Sequence, residues 1–254
     1  MKSFQNIIDS FISSLVKELP KKTVVHKQQH LLELNYEGHH CSMKFFLSDP
    51  DPAFKGLQIP VDLAFTRKQK LIAIIQSKLH YTRTVYARDC IAKKIQASGA
   101  EAFLNEFHLM NHAKAAYHYG LFDTGELVAV ATFSKGRKMN RLKKEERSFE
   151  LIRFCCKEGI SVSGGLSKLL SCFIKDKKPG DIMTYIDKQF SDGKSYYACG
   201  FRKHSETPVY SFLIHQETLQ RNYSHDSEFD NKKFYLCHNL GNIKLVYQIE
   251  YPSL

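Results

Sequence analysis

The segment from residue 148 to residue 190 constrains the fold more than any other part of the chain. SFELIRFCC has the aromatic and apolar content of a strand, SVSGGLSKLLSCFIK joins a small-residue turn to an amphipathic helix, and DIMTYIDKQF has the pattern of a buried strand. A strand, a glycine-rich turn, a helix and a second strand make a βαβ unit. The chain is therefore predicted to be an α/β protein with a parallel strand pair.

A β-hairpin is predicted just before this unit. AYHYGLFDTGELVAVATFS places two β-rich runs around Asp123, Thr124 and Gly125, and Asp with Gly supplies the backbone conformation of a tight turn. Apolar residues at helical spacing predict helices over residues 4–16, 68–79 and 100–112, the last with Phe103, Phe107 and Met110 on one face. A short helix ending at Gly200 and a strand TPVYSFLIH are predicted after the βαβ unit.

The charge of the chain favours a polyanionic partner. Lys and Arg total 37 against 26 acidic residues among 254, which gives a formal net charge of +11. Residues 135–147, KGRKMNRLKKEER, carry seven basic and two acidic residues and so hold +5 of this charge. The candidate phosphate-binding or nucleic-acid-binding residues of this loop are Lys135, Arg137, Lys138 and Arg141. A solvated basic loop is the alternative interpretation.

Cysteine and histidine usage argues against disulfides and structural metal. The seven cysteines contain no CxxC and follow no secretion signal, which predicts a reduced, cytoplasmic protein. The pair His26 and His30 and the run His39, His40 and Cys41 lack the ligand spacing of a zinc module, so no metal is expected. No apolar stretch reaches the roughly 18 residues of a membrane-spanning helix.

The turn SGGLS is the candidate phosphate-binding element. Gly164 and Gly165 allow the backbone to approach a ligand closely, and the helix that begins near Ser167 presents unpaired N–H groups and the positive end of its dipole. The turn is neither a P-loop nor GxGxxG, which disfavours ATP hydrolysis and nicotinamide chemistry. A Gly-Gly turn with a purely structural role is the alternative.

The order of these elements resembles the GCN5-related N-acetyltransferase (GNAT) superfamily. In that family a loop Q/R-x-x-G-x-G/A binds the coenzyme A pyrophosphate, and a later helix ends in Tyr-x-x-x-Gly-Phe. Gly165 and Ser167 fall on the two small positions, whereas Val162 stands where Gln or Arg is usual. The second motif is matched by Tyr196, Gly200 and Phe201.

This resemblance implies a mixed, mainly antiparallel sheet flanked by helices and an acyl-coenzyme A-dependent N-acyltransferase that acetylates an amine. Acetyl-CoA would be the cosubstrate, with no metal. The implied cofactor-binding residues are Ser163, Gly164, Gly165, Leu166, Ser167 and Lys168.

A narrower resemblance is to a GNAT-like domain of phage and bacterial mobile-element proteins, often fused to homing-endonuclease segments. Its matching stretches run in order over about residues 85–245 and include YARDC, RSFELIRFC, VSGGLSKLLSCFIK and DIMTYIDKQFSDGKSYYACGF. The alternative function that it implies is a non-catalytic nucleic-acid-binding module. We expect an N-terminal helix with a small α/β region of unknown role over 1–84, a GNAT-like domain over 85–222 and a C-terminal strand extension packing on it over 223–254.

Acyl transfer to an amine requires a group that takes the amine proton and one that protonates the leaving thiolate. The resemblance gives the second role to Tyr196. Glu150 or Asp187 is the candidate base, and His108 is a further candidate for proton transfer. The alternatives are a Glu150–Arg153 strand pair, a core position for Tyr196, a helix-capping role for Asp187 and a packing or capping role for His108.

A third interpretation is a structural protein that forms a homodimer through the N-terminal helix. Phe4, Ile8 and Phe11 lie on one apolar face of that helix, which could be a docking face or part of the core.

Overall fold

A computed structural model of the chain describes residues 3–223 and 229–249. The α-helices are α1 Phe4–Glu18, α2 Val61–Thr66, α3 Lys68–Lys78, α4 Ala97–Phe107, α5 Gly165–Lys177 and α6 Lys194–Ala198. The strands are β1 Val24–Gln28, β2 Leu31–Tyr36, β3 His39–Phe46, β4 Leu57–Pro60, β5 Arg83–Tyr86, β6 Ile91–Lys94, β7 Tyr117–Asp123, β8 Glu126–Phe133, β9 Ser148–Cys156, β10 Ile160–Ser163, β11 Asp181–Asp187, β12 Arg202–Glu206, β13 Ser211–His215, β14 Arg221–Tyr223, β15 Phe234–His238 and β16 Asn242–Gln248. None of the described helices is both long and apolar enough to cross a bilayer.

The chain divides into two units, each built from more than one segment. The first comprises Met1–Tyr81, Asp187–Ser191 and Thr207–Asn242, and the second comprises Thr82–Ile186, Asp192–Glu206 and Ile243–Leu254. The predicted boundary at 84/85 lies close to the first division. The segment 207–242 belongs to the first unit, although the sequence assigns it partly to the GNAT-like domain and partly to an extension on that domain.

The first unit holds a four-stranded sheet in the order β1-β2-β3-β4 and a three-stranded sheet in the order β14-β13-β15. The predicted N-terminal helix is confirmed as α1, and Ile8 and Phe11 are buried within this unit, where Phe11 meets Phe45 edge-on at 5.6 Å between ring centroids. The face that the homodimer interpretation requires is therefore covered by the unit's own residues, and polar substitutions there would report on folding.

A buried ion pair joins distant segments of the first unit. Asp62 is fully buried, and its two carboxylate oxygens accept hydrogen bonds from Nε and Nη2 of Arg221 at 2.8 and 2.9 Å. The same guanidinium lies over the Phe212 ring at 4.4 Å. The bidentate geometry satisfies a charge that would be costly to bury alone.

The second unit is built on a seven-stranded sheet in the order β12-β16-β11-β9-β8-β7-β6. β6, β7, β8 and β9 pair antiparallel in sequence, β12 pairs antiparallel with β16, and β9 pairs parallel with β11. The mixed, mainly antiparallel sheet with flanking helices is confirmed, as is the βαβ unit, now β9-α5-β11. The predicted hairpin is also confirmed, with Thr124 and Gly125 at φ 45° and 91°.

Packing on the α5 side of this sheet is dense and aromatic. Leu169, Leu170 and Phe173 of α5 are buried, while Ile174 is half-buried. The Phe173 ring stacks on Phe133 with centroids 3.8 Å apart. Burial of these large side chains supplies most of the driving force for this half of the unit.

The helix predicted over 100–112 is wrong at both ends. α4 runs from Ala97 to Phe107, and His108 follows with the extended backbone values φ −80° and ψ 132°. Met110 therefore lies beyond the helix and is 39% exposed, whereas Phe103 is buried. The apolar spacing continues past the residue where the backbone leaves the helical conformation.

A polar network also joins α5 to the sheet. The fully buried Tyr119 donates from its hydroxyl to Asp176 at 2.6 Å, and the ammonium of Lys94 contacts the other carboxylate oxygen at 2.8 Å. The hydrogen bonds from Lys94 and Tyr119 lower the pKa of Asp176 to about 2. Because the pKa of the folded state is depressed, this contribution to stability is present above pH 3.8, the carboxyl's ordinary pKa, and is lost as the pH falls towards 2.

We therefore expect Asp176→Asn to lower the free energy of unfolding near neutral pH by about 2 kcal/mol, and the difference from the parent chain to vanish near pH 2. Urea unfolding at both pH values measures this. Asp89→Asn, at an exposed carboxylate, serves as the control. A difference between Asp176→Asn and the parent that did not change with pH would contradict the assignment.

Candidate functional site

The most unusual backbone feature of the second unit is a fork between β9 and β11. These parallel strands pair at three positions only, Ser148 with Asp181, Phe149 with Ile182 and Glu150 with Met183. β9 continues to Cys156 and β11 to Asp187, so their facing edges separate beyond the third pair. The side-chain hydroxyl of Thr184 donates to the carbonyl of Leu151 at 2.9 Å just past this point. The fork leaves strand edges that are not paired with each other.

A β-bulge lies at the start of the fork. Along the β8–β9 ladder Thr132 pairs with Arg153 and Phe133 pairs with Leu151, so Ile152 is an extra residue on β9. A bulge interrupts the ladder and leaves the extra residue without a cross-strand partner. The bulge at Ile152 thus lies two residues beyond Glu150, the last residue of β9 that pairs with β11.

The turn before α5 has the geometry of an anion-binding helix start. Gly164 is the N-cap in the left-handed conformation at φ 77°, the first turn of α5 has no acidic residue, and no side chain caps it. A Cβ on Gly165 would approach Val162 to 3.0 Å, so the turn is tightly closed on itself. The first N–H groups of an α-helix have no partner within the helix and carry its positive dipole end.

The six residues proposed for cofactor binding contribute mainly backbone to this turn. Ser163 and Ser167 are exposed on either side of it, whereas the Leu166 side chain is buried in the core. The ammonium of Lys168 donates to the carbonyls of Ala87 and Cys90 and so holds a neighbouring segment in place.

That neighbouring segment adds two residues that sequence reasoning missed. β5 pairs parallel with β10, which sets Tyr86 beside Ser163, and Ala87 lies 3.6 Å from the Cβ that Gly164 lacks. Arg88 follows, with its side chain 79% exposed and its guanidinium 4.9 Å from the Tyr86 ring centroid. No local motif links YAR to the Gly turn, because the two segments are far apart in sequence and meet only through strand pairing.

Tyr196 lies on α6, close to the part of β9 that is no longer paired with β11. Its half-buried ring meets Phe201 edge-on at 5.8 Å between centroids. The pKa of Tyr196 is raised to about 12, mainly by burial and next by Cys199, with smaller contributions from Cys155 and Cys156 and an opposing one from Arg153. The phenol is therefore protonated near neutral pH.

Glu150 lies at the last paired position of the fork. Its carboxylate contacts the guanidinium of Arg137 at 3.2 Å, and its backbone N–H donates to the hydroxyl of Ser134 at 2.9 Å. Glu150 and Tyr196 are thus both associated with β9, the former at the last pair before the fork opens and the latter near Arg153, Cys155 and Cys156 further along.

The two remaining catalytic candidates lie at the ends of elements, His108 directly after α4 and Asp187 as the last residue of β11. Nδ1 of His108 accepts from the backbone N–H of Met110 at 3.1 Å, directly after α4. Asp187 belongs to the first unit, where its carboxylate accepts from the backbone N–H of Gln189 at 2.9 Å and burial raises its pKa. Each side chain stabilises a local change of chain direction.

The basic loop, residues 135–147, leads into the end of the fork at which β9 and β11 are paired. Arg141 donates from Nε to the fully buried Asp181 at 2.6 Å and from Nη2 to the hydroxyl of Ser148 at 3.1 Å. Asp181 and Ser148 are the first pair of β11 and β9, so Arg141 fixes the point at which these strands join. Of the four proposed phosphate-binding residues, Arg137 and Arg141 are in ion pairs and Lys135 and Lys138 are exposed.

The histidines singled out in the sequence form no metal cluster. His39 stacks on His80 with ring centroids 4.1 Å apart. Within residues 3–223 and 229–249, no group of three or more His, Cys, Asp or Glu side chains is placed to hold a metal ion.

No protein-family model and no curated protein matches the chain. Solved structures to which it is similar include an acetyltransferase from Bacillus subtilis in complex with CoA, at 18% identity and a TM-score of 0.38, covering 63% of this chain and 98% of that one. A GNAT family acetyltransferase from Elizabethkingia anophelis with acetyl-CoA bound is 12% identical at a TM-score of 0.39, and the match covers 63% of this chain and 99% of that one. The ribosomal-protein-S18-alanine N-acetyltransferase from Escherichia coli is 9% identical at a TM-score of 0.38, and the match covers 65% of this chain and 96% of that one. Values this low leave the function to be argued from the chain's own residues.

The buried ion pair of Arg141 and Asp181 predicts that Arg141 contributes to stability, whereas the exposed lysines of the same loop do not. Arg141→Met leaves the Asp181 carboxylate buried without its partner and is expected to cost about 3 kcal/mol in the free energy of unfolding. Lys138→Met, an exposed position in the same loop, is the matched control and is expected to change it little. Chemical denaturation of both variants measures this, and equal effects would argue against an anchoring role for Arg141.

Proposed function

We propose that the second unit is an acyl-coenzyme A-dependent N-acyltransferase of GNAT type that transfers an acetyl group to an amine. The fork between β9 and β11 is the observation that carries this proposal. The pantetheine arm of coenzyme A is an extended chain with two amides, and an extended amide chain can hydrogen-bond to an unpaired strand edge as an added strand would. The fork opens beyond Glu150, on the side towards which β9 leads into the Gly turn.

The Gly164–Gly165 turn and the start of α5 are suited to the pyrophosphate of the coenzyme. Backbone N–H groups at a helix start bind phosphate without a charged side chain, which fits the absence of acidic residues in the first turn. The family's usual Gln or Arg is replaced by Val162. We assign the missing charge to Arg88, which strand pairing brings beside the turn, with Tyr86 offering an aromatic face to the adenine.

The residues around β9 supply the chemistry of acyl transfer. The amine nitrogen attacks the thioester carbonyl, a C–N bond forms, and the C–S bond breaks. Glu150, directly or through a water, accepts the proton that the amine loses, and Tyr196 donates its proton to the departing thiolate sulfur. The irregular backbone at Ile152 provides a donor for the oxygen that becomes negative in the intermediate.

Binding of acetyl-CoA to the complete chain, measured by isothermal titration calorimetry, is the first test. We expect Arg88→Ala to weaken binding about tenfold, because a charge-assisted contact to phosphate is lost. Arg202→Ala removes the same charge from β12. This edge strand of the seven-stranded sheet lies at the other end from β6, which follows Arg88 in the chain, so the variant is expected to bind as the parent chain does. Equal loss in both variants would indicate a general charge effect and contradict the role of Arg88.

The proton-donor role predicts a separation of binding from turnover. Tyr196→Phe is expected to leave the Kd for acetyl-CoA unchanged and to lower kcat about 100-fold or more, because a positioned general acid is lost. Release of free coenzyme A thiol, with spermidine and trialanine as amine probes, measures the rate. Tyr197→Phe is the control, and a normal rate in Tyr196→Phe would reject this residue as the acid.

The alternative, a non-catalytic nucleic-acid-binding module, is supported by the exposed lysines of the basic loop. No binding of acetyl-CoA at millimolar concentration, together with salt-sensitive binding of an oligonucleotide, would favour this alternative over the enzyme. Lys135→Ala combined with Lys138→Ala would then reduce the affinity for the oligonucleotide and the steepness of its salt dependence.

A further inference from the structure

A cavity of about 340 Å³ lies in the second unit, against the face of α4 that meets the sheet. Ten residues line it, among them Ala100, Glu101, Leu104, Lys114, His118 and Thr132. The volume lies within the range of small-molecule sites. Five of the ten lining residues are apolar, and the other five carry polar groups.

Thr132 is the decisive residue of this cavity. It is 1% exposed, and its hydroxyl oxygen has no hydrogen-bond partner among residues 3–223 and 229–249. Burying a hydroxyl without a partner costs free energy, so nearly all buried hydroxyls in folded proteins are satisfied. Thr184, a second buried threonine of the same sheet, follows that rule by donating to Leu151. Thr132 is one of the residues that line the cavity, and the hydroxyl oxygen itself has almost no accessible surface in the free protein.

His118 stands beside Thr132. The two residues pair directly across the β7–β8 ladder, so their side chains project from the same face of the sheet. Burial, with a smaller contribution from the charge of His112, lowers the pKa of His118, which keeps the ring neutral near neutral pH with one N–H to donate. Thr132 and His118 together form a pair of donors at one wall of the cavity.

The lining of the cavity carries one carboxylate and one ammonium, and it is the carboxylate that already has a polar neighbour. Glu101 is the carboxylate among the lining residues, and its oxygen already faces Nε2 of His112 at 3.6 Å. Lys114 contributes an ammonium to the lining. The uncommitted polar groups are thus a hydroxyl, an imidazole N–H and an ammonium, all of which can donate to a carboxylate.

We propose that this cavity is a binding site for a small organic carboxylate. Its oxygens accept hydrogen bonds from Thr132 and His118, Lys114 balances the charge, and its apolar part contacts Ala100 and Leu104. The site is formed by α4, β7, β8 and the segment between α4 and β7, apart from the Gly turn proposed for the coenzyme. Binding here does not depend on the proposed acyltransferase function.

The test uses the complete chain without coenzyme A and three probes of nearly equal shape: benzoate, its neutral amide benzamide and the cationic benzylamine. Isothermal titration calorimetry is expected to show saturable millimolar binding of benzoate and weaker or no binding of the other two. Preference for benzylamine, equal binding of all three, or no binding of benzoate would each overturn the proposal. Because no acyl-CoA is present, a negative result leaves the acyltransferase proposal untouched, and the reverse also holds.

A matched pair of variants ties the binding to the orphaned hydroxyl. Thr132→Val keeps the shape and removes the unsatisfied group, so it is expected to retain or raise the Tm while weakening benzoate about tenfold. Thr184→Val removes a hydroxyl that is bonded to Leu151, so it is expected to lower the Tm and leave benzoate affinity unchanged.

Benzoate affinity in Thr132→Val equal to that of the parent chain would overturn the proposal, as would a loss of Tm matching that of Thr184→Val, because the hydroxyl would then be satisfied in the free protein. His118→Phe repeats the binding test at the second donor. An unchanged affinity for benzoate in His118→Phe would likewise count against the site.

Discussion

The short pairing of β9 with β11 is the constraint on which the rest of the second unit depends. Three parallel pairs hold the strands together at one end, and Arg141 fixes that end through the buried carboxylate of Asp181. Beyond these pairs β9 and β11 no longer pair with each other, while β8 lies on the other side of β9 and β16 on the other side of β11. Unpaired backbone persists in a folded protein only where water, side chains or a ligand satisfies it, which is why we propose the fork as the place of the coenzyme's extended arm.

The two faces of the sheet differ in how completely they are packed. On the α5 face, Phe133 and Phe173 stack with ring centroids 3.8 Å apart. On the α4 face, small side chains such as Ala100 leave a cavity, and Thr132 keeps a hydroxyl without a partner. Local violations of packing and hydrogen bonding are expected where a protein binds something, and here both fall on the same face.

Much of the secondary structure could be predicted from local pattern, and the failures have physical reasons. The helices α1 and α3, the hairpin at Thr124 and Gly125, and the βαβ unit follow from periodicity and turn residues. The end of α4 does not, because the apolar spacing continues after the backbone turns extended at His108. β12 gives no periodic signal because all of its residues are exposed at the sheet edge.

The sequence by itself determined the fold class, the order of elements and the chemistry available: a Gly-Gly turn before a helix, a tyrosine before Gly-Phe and a concentrated basic loop. These depend on neighbours along the chain, whose spacing sets helix, strand and turn. Only the tertiary structure decided which groups meet. It placed Arg88 beside the Gly turn, gave Arg141 to Asp181, and left Thr132 facing a cavity. Such contacts depend on strand register and packing between distant segments, which local spacing does not encode.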